Sequence, residues 1–182
     1  MKHETFPSLK NWNPMDKIAP RPYAVFSDCG RYRYLLTWQT GVDNDRIMVF
    51  CGANPSKAGQ LDAQGNIRSD PTISRMRKLA ASMDFGILWA VNARSYVSTD
   101  PSGVPPDPEG IGDLTDQYIR LAALSADLFV CAFGQLAGPA RGSEIIEMVR
   151  NEGKVPHALA LTKDGTPRHP RGIPNSARPF PI

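Results

Sequence analysis

The chain is organised by short, nearly unbroken apolar runs: Ile47-Met48-Val49-Phe50, Ile87-Leu88-Trp89-Ala90-Val91, Leu128-Phe129-Val130-Cys131-Ala132-Phe133 and Ala158-Leu159-Ala160-Leu161. Runs of this length without polar alternation fit strands covered on both faces. Between them the apolar period changes to three and four residues. Ile73, Met76, Leu79, Ala80 and Met83 form one helical face, Leu114, Tyr118, Leu121 and Ala122 a second, and Ile145, Ile146 and Val149 a third. Alternating strands and helices predict a three-layer α/β/α fold with a central, mostly parallel sheet. Upstream, the β-rich stretches Ala24 to Phe26 and Tyr32 to Trp38 flank a Ser-Asp-Cys-Gly connection, which predicts an antiparallel hairpin at the sheet edge. A turn at Gly41 to Asp45 then leads into the first core strand.

The remaining segments read as connections. Residues 1–22 carry Pro7, Pro14, Pro20 and Pro22 with little periodicity and are expected to form an extended arm, leaving 23–182 as a single α/β domain. Ser98 to Gly110, with Pro101, Pro105, Pro106 and Pro108, can continue neither a helix nor a strand and is a loop. From Pro170 onward the chain is rich in proline and arginine.

Composition narrows the class. A chain of 182 residues, 41% hydrophobic, suits one well-buried core. The formal charge of +3 is compatible with a polyanionic partner without requiring one. Cys29, Cys51 and Cys131 are odd in number and widely spaced, which argues for reduced core thiols over a disulfide framework or zinc site. No basic-then-apolar leader and no run long enough to span a bilayer is present, so a cytoplasmic monomer is expected, without membrane contact, metal or cofactor.

Ligands of open parallel sheets sit beyond the carboxyl ends of the strands, and the residues there are unusually polar. After the first core strand come Gly52-Ala53-Asn54-Pro55-Ser56. Gly52 and Pro55 shape a tight turn in which the Asn54 amide is either a turn cap or a holder of water or an anion. Ser69-Asp70-Pro71-Thr72 reads as a helix start capped by Asp70, whose carboxylate can also face the cleft. Asn92 ends the second run, and its amide must meet either backbone or the polar edge of a ligand. Gly134 follows the third run. His169, in the polar loop after the fourth, is either a solvated histidine or a neutral imidazole able to donate to a developing anion. Lys163, Arg168, Arg171 and Arg178 form either a phosphate-contacting strip or a soluble tail. Walker, dinucleotide-binding, His-Glu metal and Gly-x-Ser-x-Gly patterns are all absent, which removes several common enzyme classes.

Two resemblances follow from these motifs. Through Asn54-Pro55-Ser56, Asp70-Pro71-Thr72, Val91-Asn92, Phe133-Gly134 and the string Leu161 to Pro170, the span from Tyr34 to about Pro181 resembles the bacterial and phage family DUF1643, a label that carries no assigned chemistry. Val49 to Ser56 is also similar to the Gly-x-Asn-Pro-Gly loop of the uracil-DNA glycosylase superfamily, mismatch-specific type. Gly86 to Ala93 resembles its strand ending in the base-reading asparagine, and His169-Pro170 the start of its His-Pro-Ser motif. Here Ser56 stands for the second glycine, Arg171 for the serine, and no aromatic residue lies between Pro55 and Thr72 to stack on a base.

The second resemblance implies a DNA glycosylase-like hydrolase acting on duplex or single-stranded DNA, with a mismatched or modified base flipped into the cleft. In that reading Asn54 positions water, Asn92 reads the base, His169 stabilises the departing base and Asp70 supplies a carboxylate. Gly52, Ala53, Pro55, Ser56, Gly134, Lys163, Arg168 and Arg171 complete the substrate-binding set. The phage context extends this to a modified viral base and a defence role. Competing expectations are an enzyme acting on free nucleotides, and a non-catalytic nucleic-acid-binding module.

Overall fold

The computed structural model describes residues 22–182, so the expected arm at 1–22 lies almost wholly outside the described residues. One seven-stranded sheet organises the rest. Its strands are β1 (Tyr23–Phe26), β2 (Arg33–Gln39), β3 (Ile47–Gly52), β4 (Ile87–Asn92), β5 (Leu128–Cys131), β6 (Pro156–Ala158) and β7 (Phe180–Pro181), in the spatial order β1-β2-β4-β3-β5-β6-β7. The four central strands run parallel, β1 and β2 form the antiparallel edge hairpin, and β7 closes the other edge antiparallel to β6.

Period-two alternation divides the strands between two apolar layers. Val49, Cys51, Trp89, Val91 and Phe129 face Tyr118, Ile119 and Ala122 of α2 (Thr115–Ser125) and Ile145, Met148 and Val149 of α3 (Pro139–Asn151). Met48, Phe50, Leu88, Ala90 and Val130 face the other way, onto Ile73, Met76, Leu79 and Ala80 of α1 (Pro71–Ser82). The three-layer arrangement follows, with each fully buried Leu, Ile or Phe contributing roughly 1.5–3 kcal/mol. Asp70 starts α1 by accepting the Ile73 N–H at 2.8 Å, and Pro71 occupies the first turn, where its missing N–H costs nothing.

Some expectations need correction. The fourth core strand is Pro156–Ala158, not Ala158 to Leu161, because pairing with Phe129–Cys131 sets its register. Leu161 leaves the sheet, is exposed and bridges only to Pro167. The proline-rich tail supplies a strand, β7, that its composition concealed. Cys51 and Cys131 are buried, but Cys29 is an exposed thiol rather than a core one. No helix among the described residues is long and apolar enough to cross a membrane.

β3 leads through α1 to β4 on one side, and the chain then crosses by α2 to β5 on the other side of β3. The two crossovers cover opposite faces, so the chain direction reverses between β3 and β5. That is where an open parallel sheet leaves a crevice at its carboxyl edge.

Candidate functional site

Beside this switch point, Gly52 and Asn92 are paired in register at the ends of β3 and β4. A Cβ at position 52 would stand 2.8 Å from the Asn92 amide nitrogen, so the bare glycine lets that amide lie against the neighbouring strand. Arg33, at the start of β2, reaches across and donates from Nη2 to Asn92 Oδ1 at 2.8 Å and from Nη1 to the Ala58 carbonyl at 2.8 Å. A guanidinium has no acceptor, so this contact fixes the amide's orientation. Asn92 Oδ1 is engaged, while Nδ2 has no protein partner among the described residues and is not sealed from solvent.

Arg33 is only 3% exposed, its Nε is buried without a partner, and burial pushes its pKa down to about 10 against the opposing pull of Asp70. A buried cation with an unpaired donor is costly to keep. Sequence reasoning missed it, although a charged residue opening the otherwise apolar Tyr34-Leu35-Leu36 run was the available signal.

The Asn-Pro turn projects beyond β3. Asn54 Nδ2 donates to the carbonyls of Ser98 at 3.0 Å and Pro55 at 3.2 Å, which ties the turn to the loop after β4 and leaves Oδ1 as the free acceptor. Ser56 Oγ donates to Asp70 Oδ2 at 3.0 Å while Oδ1 caps α1. Asp70 is therefore a cap whose carboxylate also draws in the Asn-Pro-Ser segment, and its charge acts on both Arg33 and His169.

His169 comes in from the far side. Gly134, at φ +63° after β5, donates its N–H to the Pro167 carbonyl at 2.9 Å and so holds the loop that delivers the histidine. His169 Cβ would lie 3.6 Å from a Cβ at position 134. The Arg171 N–H donates to His169 Nδ1 at 3.1 Å, which places the ring proton of the neutral form on Nε2. Burial and the nearby Arg171 charge lower the imidazole pKa below its ordinary 6.5, outweighing Asp70, so the ring is a neutral Nε2–H donor at pH 7.

Among the described residues two hollows open on this edge, beside Asn92, Asp70 and His169 rather than lined by them. The larger, about 470 Å³, lies between the first turn of α1 and the segment after His169, lined by Thr72, Arg75, Pro170, Arg171 and Ile173. The smaller, about 260 Å³, is lined by Ala53, Asn54, Arg94, Pro105, Asp107 and Leu136. Arg94 braces its wall through a bidentate contact with Asp107 at 2.7 and 2.8 Å and through the Leu136 and Ala137 carbonyls. The structure thus links Gly52, Asn92 and Arg33 on one side to Ser56 and Asp70, and Asp70 in turn to His169 and its neighbour Gly134, whereas Asn54 lines a separate hollow. Lys163 stands at an exposed loop tip, and Arg168 and Arg171 are exposed beside His169. No cluster of His, Cys, Asp or Glu fit to hold a metal occurs among the described residues.

Fold and site together define a three-layer α/β protein with hollows and linked polar side chains at the carboxyl edge of its central, mostly parallel sheet. Residues 33–171 match the family model described as protein of unknown function (DUF1643), and the chain belongs to that family. No curated protein and no solved structure matches it.

Proposed function

We propose that this protein is a hydrolase of the DNA glycosylase type, which draws one nucleotide of a DNA strand into the cleft and cleaves its N-glycosidic bond. The observation that carries the reading is the polarity of the free side-chain atoms. Asn92 Nδ2 and His169 Nε2 are both donors, the first because Arg33 occupies Oδ1 and the second because the Arg171 N–H occupies Nδ1. Their complement is an acceptor-edged base that gains negative charge as it leaves. The neutral imidazole presents its one N–H, at Nε2, to such an anion while Nδ1 stays held by the Arg171 N–H.

In the reaction the bond between the sugar C1′ and the base nitrogen breaks and its electron pair departs with the base. Water adds to C1′ and its proton ends on the released base, which leaves an abasic sugar. In this reading the water enters from the adjoining hollow, where Asn54 Oδ1, the free acceptor on the Asn-Pro turn, orients it. Asp70 steadies the charge on Arg33, opposes the lowering of the His169 pKa, and is the carboxylate available to help the water lose its proton. An amide is a weak base, so the rate relies on a good leaving group, which favours a modified or mismatched base and suits a role against modified phage DNA. The order of the Asn-Pro, Asn and His-Pro motifs supports the same reading.

The test is mass spectrometry of bases released from duplexes carrying uracil, mismatched or hypermodified bases and from the DNA of phages with modified bases. Release that disappears in Asn54→Ala and His169→Ala is the expected result. Tight DNA binding without release from any substrate would reduce the site to a binding module. Thermal protection by free nucleotides alone would reassign it to nucleotide processing.

A further inference from the structure

Two loops on the carboxyl edge are built alike, although they lie a hundred residues apart and come from different strands. In the first, residues 60–68, Asp62 N donates to the Asn66 carbonyl at 2.8 Å, Gly65 N to Asp62 at 3.0 Å and Arg68 N to Gln60 at 2.8 Å. In the second, residues 160–168, Thr162 N donates to Thr166 at 2.9 Å, Gly165 N to Thr162 at 3.1 Å and Arg168 N to Ala160 at 2.8 Å. Each carries one bridge, Leu61 to Ile67 and Leu161 to Pro167, and each turns on a glycine, at φ +80° and +81°. Each finger ends in an exposed arginine and then delivers a residue of the cleft, Asp70 after Arg68 and His169 after Arg168. The fingers are thus a matched pair, and the residues they deliver are neighbours, since the Asp70 charge acts on His169.

The arginines sort by use. Elsewhere in the fold, and at Arg33, Arg75 and Arg94 on this same edge, their guanidinium groups make hydrogen bonds or salt bridges: Arg33 with Asn92, Arg75 with Asn175, Arg46 with Asp84, Arg94 with Asp107, Arg120 with Glu152, Arg141 with Asp116 and Glu144, Arg150 with Glu147. Among the described residues, only the guanidinium groups of Arg68, Arg168 and Arg171 make neither, although Arg68 lowers the pKa of Asp62 and Arg171 that of His169. All three belong to the fingers or to the segment that follows the second. The acids on the fingers are engaged within their own turns. Asp62 accepts the N–H groups of Gln64 and Asn66 at 2.9 and 2.8 Å, and Asp164 accepts from the hydroxyls of Thr162 and Thr166.

We infer that the paired fingers are a phosphate grip. Arg68 and Arg168 hold the backbone of a nucleic-acid strand at two points flanking the cleft, and Arg171 adds a third. The inference rests on the reading that the cleft admits one nucleotide of a strand, and it supplies what that reading lacks, a means of holding the chain on both sides of the entering base. Phosphate contacts position a strand without reading its sequence, so the grip acts on any sequence and its strength falls with salt.

The experiment is fluorescence anisotropy with a labelled single-stranded oligonucleotide of mixed sequence, titrated at several salt concentrations. Three contacts correspond to a slope of about −2 in log K against log salt, or a loss of roughly twentyfold between about 50 and 200 mM. Arg68→Gln and Arg168→Gln should each reduce that loss to roughly sevenfold, and the double variant should reduce it further. Arg46→Gln, at the opposite end of the sheet, should leave the slope unchanged, and melting curves should confirm that all variants are folded. Unchanged slopes in both finger variants, an equal loss in Arg46→Gln, or no binding at low salt would overturn the grip. Base release from the same proteins is scored separately. Binding with the expected slopes but no release retains the grip and removes the glycosylase reading, while release with unaltered slopes does the reverse.

Discussion

Asp70 performs two jobs that substitution can separate. Its Oδ1 caps α1 through Ile73 N at 2.8 Å, and its Oδ2 accepts from Ser56 at 3.0 Å. Losing an N-cap costs about 1 kcal/mol, and a hydrogen bond to a charged acceptor in this partly buried setting contributes about as much again. Asp70→Ala should therefore cost about 2 kcal/mol, which for a chain of this size is a fall of roughly 4–8 °C in Tm. Asp70→Asn keeps a good cap and a side chain able to meet Ser56, so it should recover about half of that loss, the remainder being the missing charge beside Arg33. In both variants His169 should titrate lower still than in the native protein, because Asp70 is the group that pulls its pKa upward. Calorimetry gives the stabilities, and NMR titration of the imidazole gives the pKa. Equal melting of the Ala and Asn variants would refute the capping argument, and an unmoved His169 titration would refute the electrostatic one.

Asn92→Asp should fold, since Arg33 retains an acceptor, but it replaces the free donor with a charged acceptor and should lower base release on the order of a hundredfold to a thousandfold in steady-state assays. The pH dependence follows from His169. Because its folded pKa is depressed, its contribution to stability is fully present above the ordinary 6.5 and is lost as pH falls from there through the lowered value. Base release should persist through mildly acidic pH and fail only where the folded imidazole protonates, and a pH–rate profile breaking at or above 6.5 would contradict this. Cys29, exposed and lowered to about 7 by its hydrogen bond with Ser27 and by Arg31, should be alkylated rapidly at neutral pH. Cys51 and Cys131, whose thiols burial pushes upward, should react only on unfolding, as peptide mass mapping can show.

Local patterning by itself determined the layers of this protein. The alternation of Met48 and Phe50 with Val49 and Cys51, and the three- and four-residue spacing from Ile73 to Leu79, are properties of neighbouring residues, so the strands, helices and edge hairpin could be read in order. The Asp70-Pro71 start of α1 was legible for the same reason, since a cap acts within three residues. Tertiary structure decided what depends on partners distant in sequence. Arg33 meets Asn92 from 59 positions away, and nothing near either residue announces the contact that turns the Asn92 amide into a pure donor. Only pairing with β5 fixed the register of β6, and only its open edge made a strand of Phe180–Pro181. The likeness of the two fingers lies in backbone hydrogen bonds that share just Leu, Gly and Arg at equivalent places. Periodicity records which face of an element is buried, whereas a site records which elements meet, and that is set by long-range packing.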